Sequence, residues 1–386
     1  MTRQARNTFL SSVALAAFFL TANQSFAIEP GDFNATLAGA TIGIPLGAAP
    51  PPGLYTSMES FVGPNAVGTG QNSAASGAGP YGRGLTVFGA AETVSLAWST
   101  GYNIFGGSLV LAAIQPFFTV AGMSTNCQPL ANGNCIGSPP IAFGGFDTVA
   151  GPSGAAFFEN VHNTIWSSAV SWNWHNGFFS SLGFNLQGPD GSQYHGTLNQ
   201  DYWTFAPTAA VAYLSKEWKI AVNADYEVHT ASRGNTGTYS AVAFNSTAPA
   251  VAAPNGCLGF NCPGIGYTSG QQLFIDWSAE YKWGKFSFGP AGDFKWQTTA
   301  DTPGSGWTCA ALTASVFYGP ALSCGKATDI SLGGIVSYDF GPAELQTWVV
   351  DSVYNKDDFD GLKIFSRLSF KLGGPPPAPM ATKAPQ

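Results

Sequence analysis

Residues 218–228 read Trp-Lys-Ile-Ala-Val-Asn-Ala-Asp-Tyr-Glu-Val. Trp218, Ile220, Val222, Ala224, Tyr226 and Val228 are apolar. Lys219, Ala221, Asn223, Asp225 and Glu227 between them are mostly polar or charged. Side chains in a strand point to alternate faces, so this period of two predicts a strand with one greasy and one wet face. A soluble sheet buries the greasy face in a core. A transmembrane barrel turns it toward lipid and points the polar face into a lumen.

The pattern recurs, and its spacing separates those two readings. Alternating runs at 86–100 and 108–120 flank a turn ending in Gly106-Gly107. Runs at 163–174 and 178–187 flank His175-Asn176-Gly177, and Asn-Gly is a strong hairpin signal. Runs at 201–215 and 218–229 flank Lys216-Glu217, and runs at 271–282 and 286–298 flank Trp283-Gly284-Lys285. Runs at 329–339 and 344–354 flank Gly341-Pro342, and single runs stand at 53–62 and 362–372. The connections between these pairs are longer: 63–85, 121–162, 188–200, 230–270, 299–328 and 355–361. Short and long thus alternate through about twelve strands. This predicts an all-β fold: a transmembrane, antiparallel, up-and-down barrel with short periplasmic turns and long extracellular loops.

Aromatics gather at the short-turn ends: Trp172, Trp174, Phe178, Tyr213, Trp218, Tyr281, Trp283, Phe286, Tyr338 and Phe340. An interfacial girdle explains this clustering, since core aromatics have no reason to prefer one end of each hairpin. In 344–354 two phases compete, Leu345, Thr347 and Val349 against Trp348, Val350 and Tyr354, and the pattern leaves both open.

Composition agrees. Charged residues are 10% of the chain, against about 25% in ordinary soluble domains. Arg3 and Arg6, an apolar stretch from Phe9 to Leu20 and Ser25-Phe26-Ala27 form a secretory signal over 1–27, with Ile28 as the mature start. Without Arg3 and Arg6 there are 13 basic and 22 acidic residues, a net charge of −9, which excludes nucleic acid as a partner. The best candidate for a membrane helix, 106–123, is broken by Gln115-Pro116. The expected organisation is a signal at 1–27, a periplasmic or plug segment at 28–49, the barrel at 50–372 and a Pro-rich periplasmic tail at 373–386. The expected location is the outer membrane of a Gram-negative bacterium, with lipid and the barrel-assembly machinery as partners.

By phase the lumen holds Asp225, Glu227, Asp276, Glu280, Asp293, Asp329 and Asp339 against Lys219, Lys282, Lys295, Lys363, Arg367 and Lys371. The near balance of sign points to cross-barrel ion pairs rather than a strongly ion-selective pore. Phe179 and Phe274 fall on the same face. Asp225, Glu227, Phe274, Asp276, Glu280, Asp293, Lys295, Lys363 and Arg367 are therefore the candidate solute path.

The six cysteines fall two by two in three long loops. The expected disulfides are local: Cys127–Cys135, Cys257–Cys262 and Cys309–Cys324. No Cys-x₂-Cys occurs and no histidine sits nearby, so neither metal nor cofactor is expected. His162, His175, His195 and His229 show no ligand spacing. Gly77-Ala-Gly79-Pro-Tyr-Gly82 has the letters of a dinucleotide loop without the strand-turn-helix around it. Asn355-Lys-Asp357-Asp358-Phe-Asp360-Gly361 resembles part of a calcium loop but lacks the downstream Glu, and reads as a charged hairpin tip. No serine is marked as a nucleophile, so an enzyme is not expected.

One more resemblance concerns the first strands. Pro50-Pro51-Pro52-Gly53-Leu54-Tyr55 opens the first strand. A strand ending Leu96-Ala-Trp98-Ser-Thr follows, then Tyr102-Asn-Ile-Phe-Gly106-Gly107 and a strand containing Pro116. This order resembles the bacterial family named for the meta-pathway of phenol degradation, best over 48–120 and as strand pattern to 372. The resemblance implies an outer-membrane barrel that takes up small aromatic or other hydrophobic compounds. It also sets a plug in the barrel mouth level with a loose periplasmic leader as the reading of 28–49, which contains Ile42-Gly-Ile44-Pro-Leu46. Two other readings stand beside it: a structural or adhesive barrel with disulfide-closed surface loops, and a secreted lectin-like sandwich.

Overall fold

The structure is a computed structural model. It describes residues 37–67, 83–129, 135–137, 156–191, 202–231, 267–300, 302–303, 326–356 and 358–373. The expected signal at 1–27, most of the expected tail at 373–386, Gly77–Gly82, His195 and four of the cysteines lie outside these residues.

Twelve wall strands form one closed antiparallel sheet. They are β1 (Gly53–Val67), β2 (Arg83–Ile104), β3 (Gly107–Pro129), β4 (Ile165–Asn173), β5 (Phe178–Gln187) and β6 (Thr204–Leu214). β7 (Trp218–His229), β8 (Gln272–Trp283), β9 (Phe286–Gln297), β10 (Thr328–Asp339), β11 (Ala343–Lys356) and β12 (Phe359–Gly373) complete them. Each pairs with its neighbour in sequence, and β12 returns to pair with β1, so no edge remains. A piece at Ala156–Val161 extends β4 along β3 beyond a break at 162–164. That break lies beside Pro116 of β3, which has no N–H to give a ladder. His162 N bonds Pro116 O at 3.0 Å, and Gln115 Nε2 bonds His162 O at 2.6 Å, which closes the gap.

The predicted strands and short turns recur in the fold. β5 and β7 have the predicted bounds. The first three strands are longer than expected and take residues 63–67, 83–85 and 121–129 from two predicted loops. Beyond the bilayer both faces of a strand are wet, so the two-period contrast that marks the membrane part fades there. The turn after β2 has φ 50° at Phe105 and 82° at Gly106, the left-handed pair that a two-residue hairpin turn requires.

Val222, Trp218, Leu332, Val336, Val349, Ile364 and Leu368 are exposed on the outer surface, while Lys219, Asn223, Glu227, Asp293, Gln346 and Arg367 are buried inside. The open question in β11 is resolved: Leu345, Thr347 and Val349 face out, and Gln346, Trp348 and Val350 face in. Trp348 is fully buried because it stacks on Phe365, its cross-strand partner, at 5.0 Å. The girdle at the turn ends is present, with Tyr102, Phe105, Trp174, Phe178, Trp218, Trp283, Phe286 and Phe340 exposed. A second belt, missed in the sequence, lies at the other end: Phe117, Trp166, Phe184, Trp203, Phe205 and Trp296. Trp296 and Phe286 are ten positions apart on β9. At about 3.4 Å per residue and a tilt of about 40°, that places the belts about 26 Å apart, the height of a barrel's lipid band.

Candidate lumen and solute path

Arg367 and its partners follow from register. Gln346 on β11 and Glu59 on β1 stand directly opposite it on either side. Arg367 Nε and Nη2 both donate to Glu59 Oε2, at 2.8 and 2.6 Å, and Nη1 donates to Gln346 Oε1 at 3.1 Å. Its guanidinium also sits over the Trp348 ring, 4.5 Å from the centroid. Two further ion-pair groups line the same half of the wall. Lys363 bridges Asp293 (2.7 Å) and Asp329 (2.8 Å). Lys219 bridges Glu280 (3.0 Å) and Glu344 (2.8 Å), while Ser287 and Ser337 donate to Glu280. Lys295 pairs with Asp358 at 2.8 Å, which gives that charged loop tip a partner within the barrel.

Residues 37–52 run inside the wall formed by these strands. This inner segment carries no charge, and the lumen holds it by its backbone. Asp276 accepts hydrogen bonds from Gly39 N (3.0 Å), Thr41 N (2.8 Å) and Thr41 Oγ1 (2.7 Å). Arg367 donates to Ile42 O at 2.9 Å and to Ala40 O. Asn223 Nδ2 donates to Thr41 O and Ile44 O, both at 2.9 Å. Gln346 reaches Gly43 O, Trp348 Nε1 reaches Gly39 O, and nearer the periplasm Ser171 and Ser99 reach Gly47 O and Pro50 O. The segment bends through tight turns with φ 92° at Gly39 and 78° at Gly43. At Gly43 the positive φ strains any residue with a Cβ, and that Cβ would also meet Ile335 Cδ1 at 2.6 Å.

The candidate path residues therefore share one lumen but not one role. Glu227, Phe274, Asp276, Glu280, Asp293, Lys295, Lys363 and Arg367 are all buried; Asp276 and Arg367 hold the inner segment, and Glu280, Asp293, Lys295, Lys363 and Arg367 are in ion pairs. Lys282 and Asp339 sit at the turn-side rim, where Lys282 bonds Ser215 O and Asp339 bonds Gly341 N. Asp225 alone of the nine candidate residues is half-buried. Phe179 is also half-buried, at the turn-side end of β5.

The opposite half of the wall differs in kind. Inward positions on β2 to β6 include Thr93, Ser95, Ala97, Val110, Ala112, Ile114, Ser167, Ala169, Gly183 and Thr208, all half-buried and none charged. Cross-strand pairing carries these positions from strand to strand: Thr208 faces Gly183, Gly183 faces Ala169, and Ala169 faces Val110. The lumen thus has a charged side, against which the inner segment lies from Gly39 to Ile44, and a neutral side lined by small residues, which the segment meets near the turns at Ser171, Ser99 and the β6 backbone beside Gly47. Sequence reasoning missed the neutral side because it searched for charges. The available signal was their absence from inward positions over five strands.

Among the described residues no group of His, Cys, Asp and Glu is arranged to hold a metal, and no helix is long and apolar enough to cross a membrane. Cys257, Cys262, Cys309 and Cys324 lie outside the described residues. Cys127 and Cys135 are described in backbone only, on adjacent paired strands, with Pro129 opposite Cys135.

A closed twelve-strand barrel with two aromatic belts and an apolar exterior defines an outer-membrane β-barrel. Residues 67–367 match the family described as Putative MetA-pathway of phenol degradation, and the chain belongs to that family. Its fold is similar to that of the COG4313 outer membrane channel from Pseudomonas putida F1, with 10% identity, a TM-score of 0.52, and coverage of 83% of this chain and 96% of that one. The Ralstonia pickettii toluene transporter TbuX aligns over 91% of this chain and 95% of its own, at 10% identity and a TM-score of 0.36. No curated protein matches the sequence.

Proposed function

We propose that the protein is an outer-membrane channel that admits small, mainly hydrophobic solutes by passive passage along the neutral side of its lumen. The observation that carries this reading is the division of the lumen. The charges on the filled side satisfy one another or the inner segment, so they offer little attraction to ions in transit. The small neutral residues of β2 to β6 present an uncharged lining, where an apolar solute loses little on leaving water. The inner segment acts as a fixed plug over the charged side and narrows the path to the neutral one. Membership in a family described by phenol degradation favours aromatic solutes among the hydrophobic ones.

Accumulation of labelled phenol, at low external concentration, tests this in a strain lacking the protein. Uptake falls in that strain and returns with a plasmid copy. Unchanged uptake would overturn the channel reading and favour a barrel that serves as a surface scaffold.

A further inference from the structure

Asp225 differs from the mid-lumen carboxylates that a lysine, an arginine or the inner segment holds; Glu227, on the same face of β7, lies 3.8 Å from His229. Asp293 and Asp329 share Lys363, Glu280 has Lys219, Glu59 has Arg367, and Asp276 takes three donors from the inner segment. Asp225 has no cation within ion-pair distance among the described residues. Its Oδ2 accepts a hydrogen bond from Asn185 Nδ2 at 2.8 Å. Its Oδ1 is shielded from water and has no hydrogen-bond partner among the described residues. A shielded carboxylate oxygen without a donor is costly, and natural folds rarely leave one without a purpose.

Its position gives it a use. Asp225 stands opposite Thr208, at the head of the neutral row Thr208, Gly183, Ala169 and Val110. On its other side Phe274 pairs with it and is buried. Two positions along β7, toward the turn end, Asn223 holds Thr41 O and Ile44 O of the inner segment. Asp225 therefore sits where the neutral side, the charged side and the bend of the plug meet, on the side of the bend nearer the long loops.

We propose that Asp225, positioned by Asn185, is the polar anchor of the passage for small apolar solutes that carry one hydrogen-bond donor, a hydroxyl or an ammonium. The half-buried side chain turns to bring Oδ1 to the donor, and the hydrocarbon or aromatic body lies on the small residues of the neutral row. This deepens the channel reading and rests on it. The passage then discriminates by a donor against its absence, not by size alone, because the unfilled acceptor rewards only a solute that satisfies it.

The test uses the purified full chain in planar bilayers, with ion current read while benzyl alcohol, benzylamine or toluene is added. For the wild type, the two donor-bearing probes reduce the current at concentrations about tenfold lower than toluene, the size of one hydrogen bond to a charged group. In Asp225→Ala that advantage is lost and the toluene response is unchanged. Asp225→Asn keeps an acceptor and so keeps the benzyl alcohol response, while benzylamine loses its advantage. Gel migration that still shifts on boiling verifies that each variant has folded. Equal benzyl alcohol responses in wild type and Asp225→Ala would overturn the anchor and leave the channel standing. A folded wild type with no current and no solute response would overturn the channel reading and the anchor with it.

Discussion

Arg367 is the residue on which the lumen turns. It is one of the largest fully buried side chains, and it ties together β12, β11, β1 and the inner segment through five hydrogen bonds. Removing one partner of a buried pair strands the other, at about 3–5 kcal/mol. Arg367→Met should therefore lower the temperature at which the barrel loses its folded gel migration, because Glu59 is left buried without its cation. Arg367→Met with Glu59→Gln should recover part of the loss. Equal stability of Arg367→Met and wild type would contradict this account of the lumen. The presence of Arg367 inside was legible from the alternation of 362–372. Its partners were not, since Glu59 lies 308 positions away and meets it only through barrel closure.

At the scale of elements, the inner segment is held by its backbone and bends at glycines of positive φ. Gly43→Val would place a Cβ against Ile335 and Gln346 and strain a φ of 78°. The variant should keep the barrel and displace the segment, which shows as raised ion conductance with unchanged heat-modifiable migration. Unchanged conductance would mean the segment does not limit the path. The segment was half legible: Ile42-Gly-Ile44-Pro-Leu46 fits no strand, and only the family resemblance pointed inward. Its hydrogen bonds come from residues scattered over β2, β4, β7, β8, β11 and β12, beyond the reach of any local pattern. The expected local disulfides belong to the same scale. Non-reducing peptide mapping should recover Cys127 linked to Cys135, which the hairpin brings onto adjacent strands. Free thiols, or links between different loops, would contradict that pairing.

For the whole molecule, the strands, their count and the alternation of short and long connections were readable because lipid imposes the same period-two contrast on every strand. β11 was not, since it is apolar on both faces, at Trp348 and Val350 inside and at Leu345 and Val349 outside, and only packing against Phe365 decides between them. The outer belt was hidden because its members, such as Trp166 and Trp296, lie inside strands rather than beside turns. Val222 lies midway between the belts, opposite Trp277 and Val211, and faces out. Val222→Arg should destabilise the folded barrel by about 2–4 kcal/mol in lipid, measured by denaturant titration in vesicles. A cost near zero would argue against lipid on that face.

In the proposed channel the inner segment closes the charged side of the lumen and leaves the neutral side as the path. Planar-bilayer conductance of the full chain beside a variant lacking residues 38–48 tests it most directly. A small conductance is expected for the full chain and a several-fold rise for the variant, as the charged wall becomes wet. Equal conductance in the two proteins would contradict it.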